Sequence, residues 1–199
     1  MEPSSIISEG IIQKATCRVF AGYEQGTGWL CSNDGYIMTA GHVITENKMR
    51  DVSPSEDKVV DVMLWGQRAR ILAKVIYASY RDTETEFIDF ALLKINISSE
   101  MPFIPIDLTE GHSHISLGET IYISGYGERD RLQSTDKGEY ISPSYIENKT
   151  KTVMLKVRCI DAAQRGISGA AVYSLKSLAA IGIQTKVSKY TSGATFICI

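Results

Sequence analysis

The chain has 199 residues, 44% apolar and 22% charged, with a formal net charge of -2. That is enough length to bury one large core or two small ones, and the charge balance lacks the basic footprint that nucleic-acid binding needs. No uninterrupted apolar run reaches the length of a membrane-spanning helix, so neither nucleic acid nor membrane is expected as a partner.

The chain opens Met1-Glu2-Pro3-Ser4-Ser5, without the basic-then-apolar pattern of a secretory leader. A cytoplasmic location is therefore expected, the alternative being that a leader or a neighbouring domain has been cut away. The segment Gly26-Thr27-Gly28-Trp29-Leu30-Cys31-Ser32-Asn33-Asp34-Gly35-Tyr36-Ile37-Met38-Thr39-Ala40-Gly41-His42-Val43 reads as a hairpin. It runs strand, Asn-Asp-Gly turn and second strand, with His42 just past that strand. Strands are predicted next at Val59–Trp65 and Ile71–Tyr77, which are rich in β-branched and aromatic residues. Trp29 and Trp65 are expected in the core, and the charged stretch Arg81–Glu86 reads as a solvated loop. In Ile88-Asp89-Phe90-Ala91-Leu92-Leu93-Lys94-Ile95 an acid stands at the mouth of a buried strand, Phe90–Ile95. Around Ser98–His114, Pro102, Pro105 and several polar residues interrupt the strand pattern. A linker is expected there, joining β subdomains at residues 1–105 and 106–199. Within it, His112 and His114 have no third ligand nearby and read as polar linker, so no metal site is expected.

Thr120–Ser124 is the next predicted strand. The stretch Gly127–Thr150, including the charged Glu128–Lys137, is polar and poor in strand formers, and reads as a surface loop or a lid over a site. Thr152–Cys159 follows as a strand. Arg165-Gly166-Ile167-Ser168-Gly169-Ala170-Ala171-Val172 then sets a serine in a Gly-flanked turn feeding the strand Ala170–Ser174. Ala180–Thr185 and Ala194–Ile199 complete the set. No window of helical length carries a sustained apolar stripe, so the pattern predicts an all-β sandwich or barrel. Cys17, Cys31, Cys159 and Cys198 are scattered without a CxxC pair. In a chain without a leader they read as reduced, mostly buried thiols.

Taken singly, the His, Asp and Ser segments are unremarkable turns and strand ends. Together they supply a base, a carboxylate and a hydroxyl nucleophile in the order His, Asp, Ser. α/β-hydrolases run Ser, acid, His and subtilisin-like enzymes run Asp, His, Ser; the chymotrypsin-like arrangement alone runs His, Asp, Ser. The chain resembles the trypsin/chymotrypsin-like serine protease family, and most closely its HtrA-like branch. Gly-Thr-Gly-Trp-Leu…Asp-Gly-Tyr-Ile-Met-Thr-Ala-Gly-His-Val is similar to the family's His motif. Asp-Phe-Ala-Leu-Leu-Lys-Ile is similar to its Asp motif and Gly-Ile-Ser-Gly-Ala to its Ser motif.

The resemblance implies an all-β fold of two antiparallel six-stranded β-barrels with the active site in the cleft between them. It implies a serine endopeptidase in which His42 is general base, Asp89 orients it and Ser168 attacks, through an acyl-enzyme intermediate and without a cofactor. The backbone N–H groups of Gly166 and Ser168 would form the oxyanion hole. Ala162 and Ala163 would fall near the base of the pocket for the residue preceding the cleaved bond. Thr185, Lys186 and Val187 would form its wall and pair with substrate backbone. Small pocket residues favour an aliphatic side chain, whereas an inward Lys186 would favour an acidic one. The expected partners are a protein or peptide substrate and regulatory domains outside this sequence.

The chain also departs from the family's pattern. Ile167 stands where the family has Asp or Asn, and Ala170 where it has a second glycine. Ile167 cannot accept the ion pair that secreted members form with a released N-terminus, so activation by that route is not expected. Ala170 adds a Cβ at a close approach and is expected to disturb the turn. Val43 and Gln164 occupy positions that are cysteines in secreted members, in keeping with a reducing compartment. The chain stops at Phe196-Ile197-Cys198-Ile199, where the family continues into a helix, which points to a domain excised from a larger, regulated protein. The alternative to an active protease is a degenerate protease fold retained as a protein-binding module.

Overall fold

Period-two alternation carries most of the architecture. In Val59–Leu64 the side chains of Val60, Val62 and Leu64 are buried while those between them are not. In Phe87–Lys94 the buried set is Phe87, Asp89, Ala91 and Leu93, so one face of each strand meets a core. The computed structural model describes residues 10–83, 85–97, 115–127, 133–145, 153–159, 166–187 and 194–198, with side chains at fewer positions in the later strands.

Residues 10–15 are helical (α1). The strands β1 (Thr16–Ala21), β2 (Glu24–Leu30), β3 (Tyr36–Thr39), β4 (Asp51–Val52), β5 (Val59–Leu64), β6 (Ile71–Asp82) and β7 (Phe87–Lys94) then make one sheet. Their order is β4-β6-β5-β1-β2-β3-β7, and β6 also pairs with β7. A four-residue helix, α2 (Gly41–Ile44), follows β3. The strands β8 (Thr120–Tyr126), β9 (Gln133–Tyr145), β10 (Val153–Cys159), β11 (Ala171–Ser174), β12 (Ala179–Val187) and β13 (Ala194–Cys198) close into a six-stranded barrel, in the order β10-β13-β12-β11-β8-β9. Closure leaves no strand edge unpaired, which suits strands this short.

Each unit has its own apolar centre, and a third cluster joins them. The N-terminal sheet encloses Val19, Leu30, Ile37, Val62, Val75 and Leu93, among others. The barrel encloses Ile121, Ile123, Val157, Ile167, Val172 and Ile181. Between them, Ile12, Ala15 and Trp29 pack against Tyr122, Ala171, Tyr173, Ala180 and Ile183.

Three expectations are corrected. Gly127–Thr150 is not a loop throughout, because the thirteen residues of β9 pair with β8 on one side and β10 on the other. Its polar side chains are weak strand formers, but backbone N–H and C=O groups on both flanks need partners, and that demand overrides propensity. Arg81 and Asp82 belong to β6 rather than a loop, pairing with Ile88 and Phe87. The strand predicted from Phe90 begins at Phe87, so Asp89 sits inside β7 and not at its mouth. Trp29 is fully buried, whereas Trp65 is half-buried with the Lys14 ammonium 6.0 Å from its ring. Cys17 is a free thiol, and the Cys31 thiol donates to the Tyr36 carbonyl at 3.4 Å; burial pushes the Cys17 thiol well above its ordinary value. The side chains of Cys159 and Cys198, the linker Ser98–His114 and its two histidines lie outside the described residues.

Candidate active site

A carboxylate buried inside a strand must be paired. Asp89 is 1% exposed, and both of its oxygens are taken by one residue. Oδ1 accepts from the His42 backbone N–H at 2.8 Å and Oδ2 meets His42 Nδ1 at 2.8 Å. Gly41 makes this grip possible. A Cβ there would collide with the Ser79 carbonyl and lie 2.9 Å from the Phe90 carbonyl. Without one, the start of α2 presses onto β6 and β7, so the backbone and the ring of His42 reach the same carboxylate. With Nδ1 facing a carboxylate, the hydrogen-bond network assigns the neutral ring's proton to Nδ1 and leaves Nε2 as the basic nitrogen. Tyr80, register partner of Asp89, meets the His42 ring edge-on with centroids 5.7 Å apart. Burial, and then the charges of Asp82 and Asp89, push the Tyr80 phenol above its ordinary value.

The Ser168 turn leads into β11. Ile167 is buried in the barrel core, and the Ile167 carbonyl accepts from the Ala170 N–H at 2.9 Å. The Gly169 N–H donates to the Gln184 carbonyl at 2.8 Å, and the Gln184 N–H returns to the Ala170 carbonyl at 2.9 Å. From the N-terminal sheet, the Thr27 N–H donates to the Ser168 carbonyl and the Thr27 hydroxyl to the Gly166 carbonyl, each at 2.8 Å. The Ala170 side chain is fully buried in the barrel core.

His42 and Ser168 come from different sheets yet wall one cavity of about 330 Å³, together with Gly166, Tyr23, Glu24, Gln25 and Asn47. A histidine, a serine and a nearby glycine lining one cavity are residue types that acyl transfer uses. Ala162 and Ala163 lie outside the described residues. Thr185 is 6% exposed in β12, and its hydroxyl has no hydrogen-bond partner among the described residues. Lys186 and Val187 are described by backbone only. β11 pairs with β12 no further than Ile183, while β13 pairs with it to Val187. Sequence reasoning missed Thr27, Gly41 and Tyr80 as supports of this site. It also missed the cavity wall supplied by Tyr23, Glu24 and Gln25, which carries no motif. A signal for Thr27 existed, since it stands between two glycines in the His segment.

The model of the family described as "Trypsin-like peptidase domain" matches residues 26–183. A sequence search of curated proteins finds no match. The chain is similar to the solved structure of the Rv3671c protease from M. tuberculosis in its active form, at 16% identity and TM-score 0.69, covering 99% of this chain and 82% of that one. It is also similar to the HtrA-type protease AlgW with tripeptide, at 21% identity and TM-score 0.72, covering 98% of this chain and 60% of that one. A third similar structure is the serine endoprotease from Yersinia pestis, at 19% identity and TM-score 0.67, covering 100% of this chain and 63% of that one. At such identities the likeness is one of fold, and the chain spans about three fifths of the last two proteins. The family match rests instead on sequence over most of the length, from the His segment through the serine turn to β12. The chain belongs to the trypsin-like peptidase domain family.

Proposed function

We propose that this protein is a serine endopeptidase with His42 as general base, Asp89 as its orienter and Ser168 as nucleophile. One observation carries the reading: a buried carboxylate grips His42 by backbone and ring on the wall of a cavity that Ser168 shares. Asp89 holds the Nδ1 proton, so Nε2 takes the Ser168 proton as the hydroxyl oxygen attacks the scissile carbonyl. That proton passes to the leaving amine as the C–N bond breaks and the acyl-enzyme forms. Water then attacks the ester, giving a proton to Nε2 that returns to Ser168 as the acid departs. The oxyanion of each step is received by the N–H groups of Gly166 and Ser168, where one such donor is worth roughly 3–4 kcal/mol.

The N-terminal sheet reads as the second six-stranded barrel, β4 being an added strand. The pairing of β6 with β7 supports this, because it returns the last strand of the order to β6. The barrels would correspond to residues 1–105 and 106–199. Substrate backbone would add along Thr185–Val187, beyond the last β11 partner at Ile183. The test is a fluorophosphonate probe followed by intact mass. Wild type is expected to gain one adduct and Ser168→Ala none, with casein cleavage lost in parallel. A wild type that stays unlabelled under every buffer condition would overturn the reading and favour a protein-binding module.

A further inference from the structure

Thr27 is fully buried in β2, and every polar atom it has is engaged. Its N–H donates to the Ser168 carbonyl at 2.8 Å, and its carbonyl accepts from the Thr39 hydroxyl at 2.6 Å. Its hydroxyl donates to the Gly166 carbonyl at 2.8 Å and accepts from the Tyr126 N–H at 3.0 Å. These bonds join three places. Thr39 ends the strand that runs into α2 and His42. Tyr126 ends β8 of the barrel. Gly166 and Ser168 flank Ile167, whose side chain is sunk in the barrel core.

Gly166 has φ +98° and no side chain to restrain it, so the peptide plane after it is set by what its carbonyl bonds to. That partner is the Thr27 hydroxyl, while the plane after Ser168 is set by the Thr27 N–H. We propose that Thr27 is a positioning residue: it fixes the attitude of the Ser168 turn relative to the His42 strand, through a hydroxyl that must both give and accept a hydrogen bond. The proposal rests on the reading of Ser168 as nucleophile.

The test compares wild type, Thr27→Val and Thr27→Ser by the rate of fluorophosphonate labelling per folded molecule and by kcat and KM on a peptide. Valine keeps the shape and removes the hydroxyl, leaving the Gly166 carbonyl and the Tyr126 N–H without that partner. Misplacing a reacting group by about 1 Å costs up to ~10² in rate. The expectation for Thr27→Val is labelling and kcat slowed by about 10- to 100-fold with KM little changed, and near-complete recovery in Thr27→Ser. A merely structural threonine would lower the melting temperature while each folded molecule kept its labelling rate. That result, or a serine variant as slow as valine, would overturn the proposal. If Thr27→Val does not fold, Thr27→Ala is judged against Thr27→Ser by the same criterion. An unlabelled wild type overturns the serine-endopeptidase reading itself, whereas a labelled wild type matched by Thr27→Val overturns this inference alone.

Discussion

Gly169 has φ +93°, and a Cβ there would press into the Thr27 carbonyl and the Thr39 hydroxyl and stand 2.7 Å from the Ala40 backbone N. Two of these neighbours are backbone atoms, one of Thr27 in β2 and one of Ala40 between β3 and α2, so they cannot yield as a flexible side chain would. Gly169→Ala therefore adds backbone strain to overlap, and we expect a loss of about 2–4 kcal/mol in denaturant unfolding. An alanine variant as stable as wild type would mean that the turn is built differently. Ala170, the residue that looked disruptive in sequence, keeps its methyl in the barrel core. The tight constraint lies one position earlier. Nothing in the spacing of Gly-Ile-Ser-Gly-Ala distinguishes the two positions, because the colliding atoms come from β2, the end of β3 and the residue after it.

At the scale of elements, the hairpin of β2 and β3 decides where His42 emerges, and β7 decides where Asp89 points. Met38 pairs with Leu92 and Thr39 with Ala91, so a slip of one residue would turn Asp89 to the outer face. The turn of that hairpin is tied to β7 by Lys94, whose ammonium donates to Asp34 Oδ2 at 2.8 Å. The Lys94 bond, and then that from Ser32, hold the Asp34 carboxyl below its ordinary value of 3.8. A folded pKa below the unfolded one gives stability that is present above the ordinary carboxylate range and is lost as pH falls through the folded pKa. The gap in denaturation midpoint between wild type and Asp34→Asn should therefore be open at neutral pH and close in acid. It should also narrow with added salt, since the pair is exposed. A gap independent of pH would refute the assignment. The hairpin was legible in the sequence because its turn chemistry is local. The strand β9 was not, because Gln133–Tyr145 is held by the neighbours that flank it rather than by its own composition.

Across the whole molecule, the N-terminal sheet and the barrel share a core in which Trp29 is completely buried. Among the described residues its indole N–H has no hydrogen-bond partner, so what the ring contributes there is packing rather than polarity. Trp29→Ala should cost about 3–5 kcal/mol in urea unfolding. Trp29→Phe should cost clearly less, since it keeps most of the aromatic volume and removes a buried donor that is unpaired among the described residues. Equal losses in the two variants would show that the N–H matters after all. The shared core also explains how a cavity can take one wall from α2 and another from the β11 turn. Alternating strands, the Asn-Asp-Gly hairpin and three chemistry-bearing segments in the order His, Asp, Ser were determined by the sequence alone, because polarity period and turn chemistry act over a few neighbouring residues. Tertiary structure alone decided that Gly41 brings the backbone and ring of His42 to one carboxylate. It also decided that Ile167 plugs the barrel and that Thr27 reaches Gly166 across 139 positions of chain. Such bonds have no local signature, since their partners meet only when the two sheets close on each other.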